Sequence, residues 1–453
     1  MGLSPRRGDA ATLPAGLAAR RTATAILRQI LERGVPLDAQ LDERHGNPHF
    51  LALDRRDRAF VRAILGAALR RRGEIAAALK ATLDRPLPEN SGALAALLHI
   101  AAAQILFLDV PAHAAVDLAV EQAGSDKRTG RARGLVNGVL RNLVRRRDEI
   151  LARTRDGAGR LDMPAWLFTR LEQAYGEATA LKIADAHLAP PGLDLSVKSD
   201  SASWAERLGG VALPMGTVRL PGTHRVAELP GFDAGAWWVQ DAAAALPVHL
   251  LGDVAGKTVA DLCAAPGGKT AALAAAGAKV TAVDLSERRV RRLKENLSRL
   301  GLEAEVEAAD ASTWQPGEVF DAVLLDAPCT ATGTIRRHPD IQWLKRPEDV
   351  TTLAALQAKM LDHAATLVRP GGRLVFATCS LLPEEGEGQV APFLTRHPEF
   401  TLSSIDPQEI AGLAHLVTKD GTLRTLPCDG FGDDPALAGM DGFFAVRFER
   451  RRP

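Results

Sequence analysis

The stretch Thr258-Val-Ala-Asp-Leu-Cys-Ala-Ala-Pro-Gly-Gly-Lys-Thr270 decides how the rest of the chain is read. Residues 258–262 have the apolar character of a buried strand, and Gly267-Gly268 then opens an alanine-rich helix. Residues 279–283 read as the next strand, closed by Asp284, and Val290, Leu293, Leu297 and Leu300 give a helical stripe. Further strands are expected at 304–308, 320–325 and 373–377. Strand and helix in alternation predict a parallel α/β sheet, whose ligands bind beyond the carboxyl ends of the strands.

The glycine turn lets backbone N–H groups approach a ligand closely, yet it is neither G-x-G-x-x-G nor a phosphate-binding P-loop. Asp284 closes its strand where a carboxylate accepts both hydroxyls of a ribose, and Asp310 lies just past the third strand, where an adenine would rest. One such acid could merely cap a helix; acids at successive strand ends point to a nucleoside pocket. Asp326-Ala-Pro-Cys-Thr-Ala-Thr-Gly333 follows a very apolar strand, and so does Ala377-Thr-Cys379-Ser380. Two cysteines and an aspartate are therefore expected at one sheet edge. A cysteine at a strand end is ordinarily a small apolar filler, and Cys263 and Cys428 are read that way. Cys329 and Cys379 sit in turns facing the ligand crevice and are read as functional.

Working outward, the four cysteines form no CxxC pair, which argues against a metal site or a secreted disulfide framework and for a reducing cytoplasm. The N-terminal arginine pair has no apolar run behind it, and Arg6 occupies the position a myristoylation signal reserves for Ser or Thr. Residues 93–110 are apolar but include His99, Gln104 and Asp109, so a buried core helix is expected and no membrane span. The net charge of +1 hides an asymmetry: residues 1–160 carry 27 Lys and Arg against 17 Asp and Glu, and the remainder 29 against 38. A basic first third suggests a polyanionic partner, although a solvated surface accounts for charge alone equally well.

That first third reads as successive helices. Ala23, Ile26, Leu27, Ile30 and Leu31 mark one, and Leu135, Val136, Val139, Leu140, Leu143 and Val144 another. Arg133, Asn137, Arg141 and Arg145 share a polar face of the latter, followed by Arg146 and Arg147. Residues 154–159 read as a linker. A short mixed region follows: a helix at 166–187, the break Ala189-Pro-Pro-Gly192, a strand at 193–197, and Gly/Pro turns leading to Trp237-Trp-Val-Gln-Asp241.

The motifs at 261–269, Asp326 to Gly333 and Thr378-Cys-Ser resemble those of the NOL1/NOP2/Sun family of RNA cytosine-5 methyltransferases. Thr334-Ile-Arg-Arg-His-Pro-Asp-Ile-Gln-Trp343 and Gly439-Met-Asp-Gly-Phe-Phe444 are similar to its bacterial RsmB/Sun branch. Asp54-Arg-Arg-Asp-Arg-Ala-Phe60, Leu108-Asp-Val-Pro-Ala-His-Ala-Ala115 and Val136-Asn-Gly-Val-Leu-Arg141 are similar to a NusB-like domain. The resemblance implies an all-α NusB-like RNA-binding domain at 1–153, a small α+β domain at 160–250 and a Rossmann-like class I methyltransferase domain at 251–453. It implies S-adenosylmethionine as cofactor, held by Cys263, Ala264, Ala265, Pro266, Gly267, Gly268, Lys269, Asp284, Asp310 and Asp326. It assigns nucleophilic attack to Cys379, release to Cys329 and the base edge to Asp326. Small-subunit ribosomal RNA is the implied substrate of a cytoplasmic monomer without metal or membrane partner. Another RNA such as tRNA, a DNA cytosine and a non-catalytic RNA-binding factor are the rival readings. Three departures stand out: Phe376 where tyrosine is common, Gly386 for a frequent asparagine, and Ser196 for a frequent arginine.

Overall fold

A computed structural model describes residues 14–88, 91–154, 157–222, 224–431 and 438–453. The readings made on the N-terminal nine residues, and the middle of the 154–159 linker, lie outside them. The chain divides into two compact units: one runs to Met163 and takes in His338–Leu344, the other comprises Pro164–Arg337 and Lys345–Pro453.

The first unit is helical among its described residues. Leu17–Arg33 buries Ala23, Ile26, Leu27 and Ile30 completely, as their spacing requires. Gly92–Phe107 is the expected core helix, with His99 and Gln104 buried in it. The His99 ring bonds the Ala68 carbonyl at 2.9 Å, and burial pushes its pKa down to about 4. On Arg133–Arg145 the residues Val136, Val139, Leu140 and Leu143 face the core, but Leu135, expected with them, is 44% exposed. Arg133, Arg141 and Arg145 are exposed, while Arg146 pairs with Glu149 and Arg147 donates to the Ile105 and Leu106 carbonyls. The last two arginines thus hold helix ends. No helix of the described residues is long and apolar enough to cross a membrane.

The second unit begins with two helices, Ala165–Tyr175 and Glu177–Ala186, where one was expected. Gly176, at φ 80°, breaks the run, a left-handed conformation that costs glycine little. Strands β1 (Leu193–Val197), β2 (Val211–Leu213), β3 (Thr217–Leu220) and β4 (Trp237–Val239) form a small antiparallel sheet in the order β2-β3-β1-β4. Asp194 and Arg219 pair at 2.7 Å inside it, and Asp194 also caps Ala242 N at 3.1 Å.

The large sheet contains β5 (Thr258–Leu262), β6 (Lys279–Asp284), β7 (Glu305–Ala308), β8 (Phe320–Asp326) and β9 (Val368–Thr378) in parallel. β10 (Phe400–Leu402), β11 (Leu423–Thr425) and β12 (Phe443–Arg450) complete it. The order is β10-β12-β9-β8-β5-β6-β7, with β12 antiparallel to β9 and paired also with β11. Going from β5 to β7 the chain steps outward on one side, and β8 returns to the other side of β5. That reversal opens a crevice beyond the carboxyl ends of β5 and β8.

Candidate active site

Register delivers the site residues to that crevice. Leu262 lies level with Val283 and Leu325, and Asp326 with Ala377, so Cys263, Asp284, Asp326 and Thr378 leave the sheet together. Cys263 and Gly267 take left-handed φ values of 62° and 102°, folding the turn tightly. At Gly267 a Cβ would come within 2.9 Å of the Leu293 side chain, so only glycine brings this backbone so close to the helix Glu287–Leu300. Ala265 N donates to Asp284 Oδ2 at 3.1 Å, and Ser286 N to Oδ1 at 3.1 Å. Arg289 lies 3.3 Å from the same carboxylate and donates to the Ala265 carbonyl. Below the turn Asp261 is fully buried; it accepts from Thr270 Oγ1 at 2.6 Å, and burial raises its pKa to about 7.

Lys269 Nζ crosses the crevice to Asp326 Oδ2 at 2.7 Å and stands 4.7 Å above the Phe443 ring. Asp326 keeps 28% of its side chain exposed, so the carboxylate remains open to a ligand. Beyond it, Cys329 Sγ and Cys379 Sγ lie 3.5 Å apart. The bond to Cys379, reinforced by burial, pushes the Cys329 thiol well up, which keeps its proton.

Asp310 sits exposed past β7 and accepts from Ser312 N at 2.8 Å, which holds its carboxyl below the usual range. Cys428 lines a cavity of about 350 Å³ with Pro190, Pro191 and Gly439. Burial pushes the Cys263 thiol up, so it supplies no thiolate.

Three groups escaped the sequence reading. Arg289 was legible in principle: an arginine in the first turn of a helix opposes the helix dipole and asks for an acid nearby. Arg337 grips the fully buried Asp441, with Nε 2.8 Å from Oδ2. Glu385, also fully buried, accepts from residues in both cysteine turns. The departures have local explanations too. Phe376 is sealed in the core edge-on to Phe444, where a phenol would need a partner. At Gly386 a Cβ would fall 2.8 Å from Arg424 and 2.9 Å from the Phe444 ring. Ser196 is buried and donates to Gln240 at 2.9 Å.

A doubly wound sheet with a Gly-Gly turn after its first parallel strand, and an acid closing the second, defines a Rossmann-like methyltransferase that uses S-adenosylmethionine. Residues 248–449 match the family model "16S rRNA methyltransferase RsmB/F", and residues 17–145 that of the NusB family. The Ribosomal RNA small subunit methyltransferase B of Serratia proteamaculans is 38% identical over 412 residues, 88% of this chain and 94% of that protein. The chain belongs to the RsmB/F family of RNA methyltransferases. Among solved structures, PH0851 superposes with a TM-score of 0.74 at 24% identity, covering 97% of this chain and 99% of that one. A methyltransferase homolog from Pyrococcus horikoshii gives 0.52 at 26%, covering 65% and 98%.

The residues fit the cofactor. Asp326 keeps an exposed carboxylate for a hydroxyl or cationic group, Asp284 is held beside the turn by Ala265 N and Ser286 N, and Asp261 Oδ1 is a buried acceptor without a partner among the described residues.

Proposed function

We propose that this protein methylates C5 of a cytosine in 16S ribosomal RNA, through a covalent bond between Cys379 Sγ and C6. The observation that carries the reading is the pair of sulfurs at 3.5 Å beside the open carboxylate of Asp326. Bound S-adenosylmethionine would supply an electrophilic methyl group. Cytosine C5 is a poor nucleophile, so the barrier lies on the base. Cys379 thiolate adds to C6, the C5=C6 electrons move onto C5, and Asp326 holds the base edge and favours protonation at N3. C5 then takes the methyl group. H5 leaves as a proton to a base in the crevice, C5=C6 reforms, and the C6–S pair departs with Cys379. The S–H of Cys329, 3.5 Å from Cys379 Sγ, donates to that departing thiolate. The target base must leave its stack to enter such a crevice, which favours a loop or helix end.

The three-part organisation proposed here gives the NusB-like region RNA affinity and the Rossmann-like part the chemistry. Cofactor contacts are assigned to residues 263–269, Asp284, Asp310 and Asp326. The test is gel analysis with ribosomal RNA under denaturing conditions. Cys379→Ala should abolish both methylation and adduct, while Cys329→Ala should accumulate an adduct that survives denaturation. An adduct with Cys379→Ala and none with Cys329→Ala reverses the roles. Bisulfite mapping of RNA from cells with and without the protein locates the cytosine, and a methyl mark elsewhere than 16S RNA overturns the substrate.

A further inference from the structure

The helix Pro347–Thr366 and the short turn Pro383–Glu385 enclose a carboxylate that the mechanism above does not use. Glu385 is completely buried, and its donors are all neutral. Oε1 accepts from Thr330 N at 2.8 Å and from Gln357 Nε2 at 3.2 Å. Oε2 accepts from Ser380 Oγ at 2.6 Å and from the Thr330 hydroxyl. Thr330 follows Cys329 directly, and Ser380 follows Cys379. Gln357 also donates to the carbonyl of Pro328, just before Cys329, at 2.9 Å. Hydroxyls of Thr330 and Thr332 lie 3.3 Å from Ser380 Oγ, and Thr332 accepts from Leu381 N at 2.9 Å. One carboxylate thus bonds the residue next to each sulfur.

Burying an ionised carboxylate is costly unless donors replace its water, and donors to a charged acceptor make short, directional bonds. Donors from Thr330, Gln357 and Ser380 converge on the two oxygens, so these bonds tie both cysteine turns to one side chain. We infer that Glu385 is a positioning residue that locks the two cysteine turns into one unit, preserving the spacing of the sulfurs between attack and release. The inference rests on the covalent mechanism proposed above. Reacting groups displaced by about 1 Å lose on the order of 10²-fold in rate.

The experiment measures turnover, adduct and S-adenosylmethionine affinity for the full chain. Glu385→Ala should lower kcat roughly 100-fold while cofactor affinity, set at Asp284, stays within about twofold of the parent. Glu385→Gln keeps the acceptor for Thr330 N and Gln357, and the Ser380 and Thr330 hydroxyls can rotate to accept from its amide. It should recover at least tenfold of that loss, roughly 1.4 kcal/mol in barrier. Parent-like turnover in Glu385→Ala, or equal impairment of Glu385→Gln and Glu385→Ala, overturns the inference. So does a parallel loss of cofactor affinity. Should Glu385→Ala not fold, Ser380→Ala detaches the Cys379 turn alone and should cost roughly tenfold in kcat; unchanged turnover there also overturns it. Cys379→Ala run alongside separates the two claims, because adduct persisting in that variant overturns the assignment of attack to Cys379 and not the brace.

Discussion

Gly333 has no room for a side chain. A Cβ there would lie 1.9 Å from the Gly442 carbonyl oxygen, and Gly442 in turn packs against Leu381. Gly333 N also donates to the Cys379 carbonyl at 2.9 Å, so this glycine contact sets the height of the sulfur-bearing turn. Gly333→Ala should force the backbones apart, costing about 1–3 kcal/mol of stability and at least roughly tenfold in turnover; thermal melting and a methylation assay read both. At the cofactor turn, Asp284→Ala should weaken S-adenosylmethionine binding roughly tenfold or more, since partners left unmatched cost about 1–3 kcal/mol. Calorimetry with unchanged affinity would remove Asp284 from the pocket. Residues of this kind were readable because a glycine turn, an acid at a strand end and a cysteine in a turn are local patterns. Glu385 was not, because its meaning depends on Thr330, 55 residues earlier, and on a helix lying between them in the chain.

Elements were legible where period and breakers agreed. The strands β1 and β5 fall on the expected residues, because each is short and flanked by turn formers, with Leu193, Leu195 and Val197 alternating with polar residues in β1. The 166–187 stretch misled because its apolar period continues through Gly176, and only the backbone shows the break. The arginines after Arg145 read as part of a polar face, solvated or phosphate-binding, and Arg147 instead caps the core helix Gly92–Phe107 at the Ile105 and Leu106 carbonyls. Arg147→Ala should therefore lower stability by about 1–2 kcal/mol, visible as a reduced thermal midpoint, with RNA affinity little changed. The same core helix carries a pH dependence. His99 takes a proton near pH 6.5 when unfolded but only near about 4 when folded. Its contribution is whole above pH 6.5 and is lost as pH falls towards 4, amounting to about 3 kcal/mol across that window. Melts at pH 7 and pH 5 should show the decline, and His99→Gln should reduce its slope.

For the whole molecule, the division of charge set against the division of chain is the informative fact. The basic third coincides with the helical unit that matches the NusB family, and the acidic remainder carries the crevice. The sequence alone left this charge between an RNA surface and a solvated one. The structure narrows the candidates, since Arg146 and the also exposed Arg147 spend donors on backbone carbonyls at helix ends, while Arg133, Arg141 and Arg145 are exposed along Arg133–Arg145. Arg141 Nε is steadied by Asn137 at 2.9 Å, leaving its other N–H groups for a phosphate. Each phosphate neutralised on a single strand should contribute a slope of about −0.7 in log affinity against log salt. Arg141→Ala with Arg145→Ala should flatten that slope by about 1.4 and weaken RNA binding at low salt. S-adenosylmethionine affinity should not move, because every residue assigned to the cofactor belongs to the other unit. A salt titration of RNA binding by the full chain and the double variant decides the matter. If slopes and affinities coincide, this face is solvated, and the RNA must be held by groups of the catalytic unit.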